Sequence, residues 1–158
     1  MRWLIIILFL IPVGLVAQDK PFWEFIDPPS TGEVETIKRD NAGNIYIGSR
    51  NGLWKSTNQG ENWLQILEDC FIKNNHLAIN SSNEVVVHYF DNKHIFLLST
   101  DYGETWIEWD HNLKADYNDL RDIKFHNNKL FVLYNEYYGE RGIFYSMNLD
   151  SNWKCIDS

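Results

Sequence analysis

Basic residues are few in this 158-residue chain, and they never gather. Fourteen lysines and arginines face 22 acids, the net charge is −8, and the densest positive spot is the pair Lys38-Arg39. A surface of that sign argues against nucleic acid and anionic membranes as partners. Cysteine is almost absent. Cys70 and Cys155 are the two, neither in a CxxC nor beside a histidine at ligand spacing, so redox and metal-site motifs are missing. Their pairing as a disulfide would need Cα atoms within about 7 Å, which spacing alone does not fix. The histidines His76, His88, His94, His111 and His126 show neither HxH nor HxxxH spacing. His88 and His94 flank the turn Asp91-Asn92 and read as strand residues on a solvated face. There is no phosphate-cradling glycine loop, no assembled Ser-His-Asp or Cys-His group, and no cofactor motif. A helical period is missing too; Leu113 to Leu120 has room for one turn.

What is present begins with a leader. One charge at Arg2, the apolar run Leu4 to Val13, and Gly14-Leu15-Val16-Ala17 before a polar break form signal-peptide anatomy. The run is shorter than the roughly 20 residues of a membrane span. Residues 1–17 are therefore expected to be removed on export, leaving 18–158 without stable membrane insertion. That remainder is about one domain. With 15% aromatic residues overall, it can build a heavily aromatic core.

The remainder repeats. Ser56-Thr57-Asn58-Gln59-Gly60-Glu61-Asn62-Trp63 returns as Ser99-Thr100-Asp101-Tyr102-Gly103-Glu104-Thr105-Trp106, and a worn copy runs from Ser146 through Asn148 and Asp150 to Trp153. The closing tryptophans lie 43 and 47 residues apart, a period typical of propeller blades. Each unit also carries alternating β-prone runs broken by turn residues. The first unit has Val34–Lys38, Asn44–Gly48, Leu53–Ser56 and Trp63–Leu67. The second has Leu77–Asn80, Glu84–Tyr89, His94–Ser99 and Thr105–Trp109. The third has Leu120–Phe125, Lys129–Tyr134, Gly142–Ser146 and Trp153–Ile156. Gly43-Asn44, Asp91-Asn92 and Asn127-Asn128 mark tight turns. The expected fold is all-β: a β-propeller of four-stranded antiparallel blades, with about three blades at 34–67, 76–110 and 120–157.

The repeated segment resembles the Asp-box, or bacterial neuraminidase repeat, of sialidase-like β-propellers. Ser99, Asp101, Gly103 and Trp106 match Ser-x-Asp-x-Gly-x-x-Trp fully. Ser56, Gly60 and Trp63 match with Asn58 in the Asp place. The third copy keeps Ser146 and Trp153, with Asn148 for Asp and Asp150 where Gly belongs. Physical chemistry gives these residues structural roles: Asp or Asn accepts turn N–H groups two residues on, Gly takes positive φ, and Trp packs the corner. Asp150 would tolerate the positive φ of the missing glycine. A single carboxylate per loop is too few for calcium. A weaker likeness joins Asp40–Ser49 and Asn51-Gly52-Leu53 to sensor propellers of two-component regulators.

Likeness to sialidases would imply an arginine cluster, a Tyr-Glu pair and an acid Asp. Only Arg39, Arg50, Arg121 and Arg141 follow the leader, and no Phe/Tyr-Arg-Ile-Pro segment is present. The reading is therefore a secreted or periplasmic binding module without catalytic residues. Its alternative is a fragment or remnant of a sialidase-like glycoside hydrolase. Trp54, Trp63, Phe96, Trp106, Phe131, Phe144 and Trp153 alternate within strands as core, whereas Trp109, Tyr117, Tyr134, Tyr137 and Tyr138 fall at strand ends or in loops. The loop Tyr137-Tyr138-Gly139-Glu140-Arg141 is the candidate binding surface for a protein or carbohydrate. Three blades are fewer than the four to eight of a closed propeller. Phe22–Ile26 reads as one more outer strand. The expectation is an open or partial ring, able to self-associate through its end blades.

Overall fold

The computed structural model describes residues 29, 32–109, 120–135, 141–150 and 152–156. The leader, the segment 22–26, Tyr137, Tyr138 and residues 110–119 lie outside these, and of Arg141 only the backbone is included.

Among the described residues twelve strands form three sheets, each a simple antiparallel meander. The first sheet holds β1 (Val34–Arg39), β2 (Ile45–Ser49), β3 (Gly52–Ser56) and β4 (Leu64–Glu68). The second holds β5 (Leu77–Ile79), β6 (Val85–Asp91), β7 (Lys93–Ser99) and β8 (Ile107–Glu108). The third holds β9 (Leu120–His126), β10 (Lys129–Asn135), β11 (Arg141–Met147) and β12 (Trp153–Ile156). The turns follow local chemistry. Asn127 and Asn128 both adopt positive φ (47° and 58°), as a two-residue hairpin loop requires and asparagine tolerates. Gly52 opens β3 at φ 131°, and a Cβ there would lie 2.0 Å from the Leu67 carbonyl oxygen. Only glycine allows β3 to lie so close to β4 here.

The middle sheet is buried on both faces, and the side-chain period of two sorts its residues. Val85 and Val87 pack with Tyr46, Leu53, Cys70, Ile72 and Leu77 against the first sheet. Val86, Phe96 and Leu98 pack with Ala78, Trp109, Leu120, Ile123, Leu130 and Val132 against the third. Each fully buried aliphatic side chain contributes roughly 1.5–3 kcal/mol. The innermost strands β1, β5 and β9 are the ones that touch between sheets, as blades fanned around an axis must. The described sheets form an arc and not a closed ring. On the outer side of the third sheet Leu133, Ile143 and Ile156 sit in register and are exposed.

Two expectations about the aromatics change. Of the aromatics assigned to the core, Phe96 alone is fully buried, while Trp109 and Tyr134, assigned to strand ends, are buried core residues. Trp109 stands edge-on to Phe96 at 5.9 Å and packs on Trp153 at 5.7 Å; it joins two sheets because it follows the short strand β8 into their junction. The two cysteines do not pair. Cys70 is buried between the first and second sheets, and Cys155 is exposed on β12 of the third, so both thiols are free. Burial raises the Cys70 thiol to about 11.

Candidate functional site

A meander gives each sheet two distinct ends. The turns β1–β2, β5–β6 and β9–β10 share the lower end with the β3–β4, β7–β8 and β11–β12 corners. The turns β2–β3 and β6–β7 share the upper end with the connections between sheets.

The repeated corners build the lower end, and their bonding is internal. Ser99 Oγ donates to Asp101 Oδ1 at 2.7 Å and accepts from the Gly103 amide at 2.7 Å. Asp101 Oδ1 also accepts the amides of Glu104 and Thr105, and Oδ2 accepts the Thr105 hydroxyl at 2.6 Å. The amides thus come from three and four residues on, one and two residues further than local Asx geometry predicted. These bonds, the Thr105 hydroxyl first, hold the Asp101 carboxyl down at about 2. Ser56, Asn58 and Gly60 repeat the pattern: Ser56 Oγ donates to Asn58 Oδ1, and the Asn62 amide donates to the same oxygen at 2.9 Å. In both copies the residue before the glycine is left-handed as well, Gln59 and Tyr102. Trp106 donates its indole N–H to the Gly103 carbonyl at 3.1 Å; Trp63, in the first copy, is half-buried and its indole nitrogen has no such bond.

The third corner differs from expectation. Asn148 and Leu149 carry the positive φ, not Asp150. Asp150 instead takes the acceptor role that Asn148 was expected to fill, bonding the Ser146 hydroxyl at 3.2 Å and the Asn152 amide at 3.0 Å. With no glycine available, the left-handed pair moves one residue back toward the hairpin tip. Trp153 packs against the core from β12. All three corners spend their polar groups on themselves. A concavity of about 460 Å³ between the first two corners carries the buried Lys55, but Glu104 already lies 3.6 Å from its ammonium.

Arg39 and Arg50 stand at opposite ends of the first sheet. Arg39 ends β1 at the lower end and Arg50 follows β2 at the upper end, paired with Glu33 at 3.1 Å.

The upper end buries His88 and His94, which the sequence reading placed in solvent, together with His76. His76, His88 and His94 are 6%, 2% and 8% exposed. The cause is strand parity: Val86, His88 and Phe90 share one face of β6, Phe96 and His94 share the matching face of β7, and that face meets the third sheet. His76 enters β5 beside them, and the His88 amide donates to the His76 carbonyl at 2.9 Å. The rings form a chain. His76 Nε2 lies 3.0 Å from the Leu120 carbonyl oxygen, His76 Nδ1 lies 3.0 Å from His88 Nδ1, and His88 Nε2 lies 2.9 Å from His94 Nδ1.

That chain has one neutral solution. A carbonyl only accepts, so His76 Nε2 carries the proton and His76 Nδ1 is a lone pair. His88 Nδ1 must then donate to it, which leaves His88 Nε2 to accept from His94 Nδ1–H. One backbone oxygen in β9 therefore sets the tautomer of three side chains across two sheets. Desolvation holds the His76 imidazole down at about 4 against the opposing pull of the Leu120 bond. The three rings wall a cavity of about 220 Å³, completed by Phe71, Lys73, Phe90 and Leu120. Among the described residues no group of three His, Cys, Asp or Glu side chains is placed to hold a metal ion; the imidazole nitrogens bond one another and do not converge.

No protein-family model matches this chain, and no curated protein matches it. Solved structures do. YCF48 from Cyanidioschyzon merolae superposes with a TM-score of 0.63 at 16% identity, over 82% of this chain and 38% of that one. A structure described as YCF48 bound to D1 peptide superposes with a TM-score of 0.65 at 19% identity, over 87% of this chain and 43% of that one. The fold is a β-propeller arc. The chain spans less than half the length of either structure, and at these identities the likeness is one of architecture.

Proposed function

We propose that this chain is a non-catalytic, protein-binding propeller module working outside the cytoplasm, and that it meets its partner at the upper end. The observation that carries the reading is the shared architecture with YCF48, one structure of which holds a D1 peptide. The division of labour between the two ends supports it. The lower corners, which are of Asp-box type, consume their own donors and acceptors. The upper end presents a preformed cavity with aromatic walls and a lysine at its mouth, the usual make-up of a recognition site. The apolar leader supports export, with cleavage near Ala17.

Site-specific photocrosslinking in the producing cell tests the reading. A benzophenone side chain at Lys73, on the upper end, is expected to capture one discrete polypeptide, and the same group at Asn62, on the lower end, none. Adducts from neither position, or from Asn62 alone, would refute it. N-terminal sequencing of the exported protein checks the leader.

A further inference from the structure

We propose that this chain pairs head to tail with a second copy of itself. The free face of the third sheet meets the free face of the copy's first sheet, twice over, and two arcs close one ring of blades. Both faces lie on the flanks of the arc, so the pairing is independent of what binds at the upper end.

The repeat identifies the two faces. Ile45, Val85 and Leu130 stand opposite Ser56, Ser99 and Ser146, which aligns the three sheets residue by residue. Tyr46 and Leu53 of the first sheet then match Val86 and Phe96 of the second, and Phe131 and Ile143 of the third. Tyr46 and Leu53 pack toward the second sheet, and Val86 and Phe96 toward the third. Phe131 and Ile143 hold the same places, on the face that each earlier sheet turns toward its successor. No described sheet follows. The opposite faces obey the same rule in reverse. Val85 and Val87 pack back on the first sheet, and Leu130 and Val132 back on the second. Their counterparts Ile45 and Ile47 have no described sheet behind them. One end of the arc thus carries a face patterned for a following blade, the other a face patterned for a preceding one. A second copy supplies each to the other.

Surface chemistry and size agree. Leu133, Ile143 and Ile156 form a row across β10, β11 and β12, each between 43% and 45% exposed. Ile37, Ile47 and Trp54 form a row across β1, β2 and β3. There Ile37 is 62% exposed, Trp54 half-buried and Ile47 buried as the floor. Single exposed apolar side chains are ordinary, but contiguous apolar rows on a sheet flank mark a contact surface. Lys124, Lys129 and Lys154 share the third-sheet face, opposite Phe131, Met147 and Tyr145 in register. Asp122 lies 3.2 Å from Lys124. A basic rim favours an acidic occupant, and a second copy of net charge −8 is one. More than half of either YCF48 chain lies beyond the match, so a ring of that architecture needs more sheets than one arc supplies. Three blades taken twice fall within the four to eight of a closed propeller. A head-to-tail contact makes a finite ring when its rotation closes, as it does for two copies that each span half a circle.

Sedimentation velocity of the exported protein tests this. A dimer is expected in the micromolar range, with no larger species. Leu133→Lys and Ile37→Lys each put a charge into one face at an exposed position. Each variant alone should raise the dimer dissociation constant by roughly a hundredfold, because both contacts of its ring bury an unpaired charge. Mixed in equal amounts, the two should associate more tightly than either alone. In the mixed dimer one contact carries both substitutions and the other carries neither. Leu133→Ser and Ile37→Ser should show the same pattern with smaller effects, and far-UV circular dichroism checks that all four variants keep their sheet. A monomer at every concentration would overturn the proposal and leave the third-sheet face to the chain's own residues 22–26 or to another protein. A dimer that survives Ile37→Lys but not Leu133→Lys would overturn it in favour of like faces meeting. Absence of any gain on mixing, or growth into open-ended chains, would overturn it as well.

Discussion

Acidifying the protein from pH 7 to pH 4 is expected to cost about 3 kcal/mol of stability through His76 alone. The unfolded chain protonates this imidazole near 6.5, whereas in the folded protein burial delays protonation to about 4. Between those values the unfolded state binds more protons, so stability rises with pH. It is complete above pH 6.5, falls by about 1.4 kcal/mol per unit below it, and levels off near pH 4. Asp101 has a separate window: its carboxyl is held at about 2, so its contribution is lost only below the ordinary carboxylate range near 4. Urea unfolding followed by tryptophan fluorescence at half-unit intervals would resolve the two. His76→Gln keeps a donor for the Leu120 carbonyl but cannot titrate, and it should flatten the curve between pH 6.5 and 4. An identical slope in wild type and variant, or no slope in wild type, would refute the assignment of a buried neutral ring.

Trp109→Ala should destabilise by ~3–5 kcal/mol, since the ring fills the junction between two sheets. Trp109→Phe should cost much less, because the buried indole N–H has no partner to lose; thermal unfolding of the pair checks both. Gly52→Ala should cost ~2 kcal/mol or more, from positive φ and from the approach to the Leu67 carbonyl, and denaturant midpoints will show it. Asp101→Asn should melt close to wild type, because Asn58 already makes the equivalent bonds in the first corner, while Asp101→Ala should melt clearly lower.

Much of the architecture was legible because its signals are local. The continuous apolar runs Val85-Val86-Val87 and Ile95-Phe96-Leu97-Leu98 mark strands buried on both faces, the asparagine pair 127–128 marks a hairpin, and the 43-residue return of the Ser-to-Trp segment marks blades. The third corner was misjudged because asparagine and leucine at 148 and 149 accept the left-handed geometry that glycine takes elsewhere. The histidines were missed for a different reason. His76 stands just before β5, His88 lies on β6 and His94 on β7, and their approach depends on pairing and on the third sheet covering them. A signal did exist: His88 keeps parity with Val86, and His94 with Phe96 and Leu98, so a core face on those strands carries both rings inward. Cys70 and Cys155 could not be judged from spacing, since the sheets that hold them are assigned only once the fold is known.

The tautomers assigned to the three buried histidines all depend on one relay ending on the Leu120 carbonyl. Long-range proton–nitrogen NMR at pH 8, with histidine-labelled protein, reads each ring directly. The relay predicts three neutral imidazoles, with His76 protonated at Nε2 and both His88 and His94 protonated at Nδ1. A charged ring among the three at that pH, or His76 protonated at Nδ1, would contradict it.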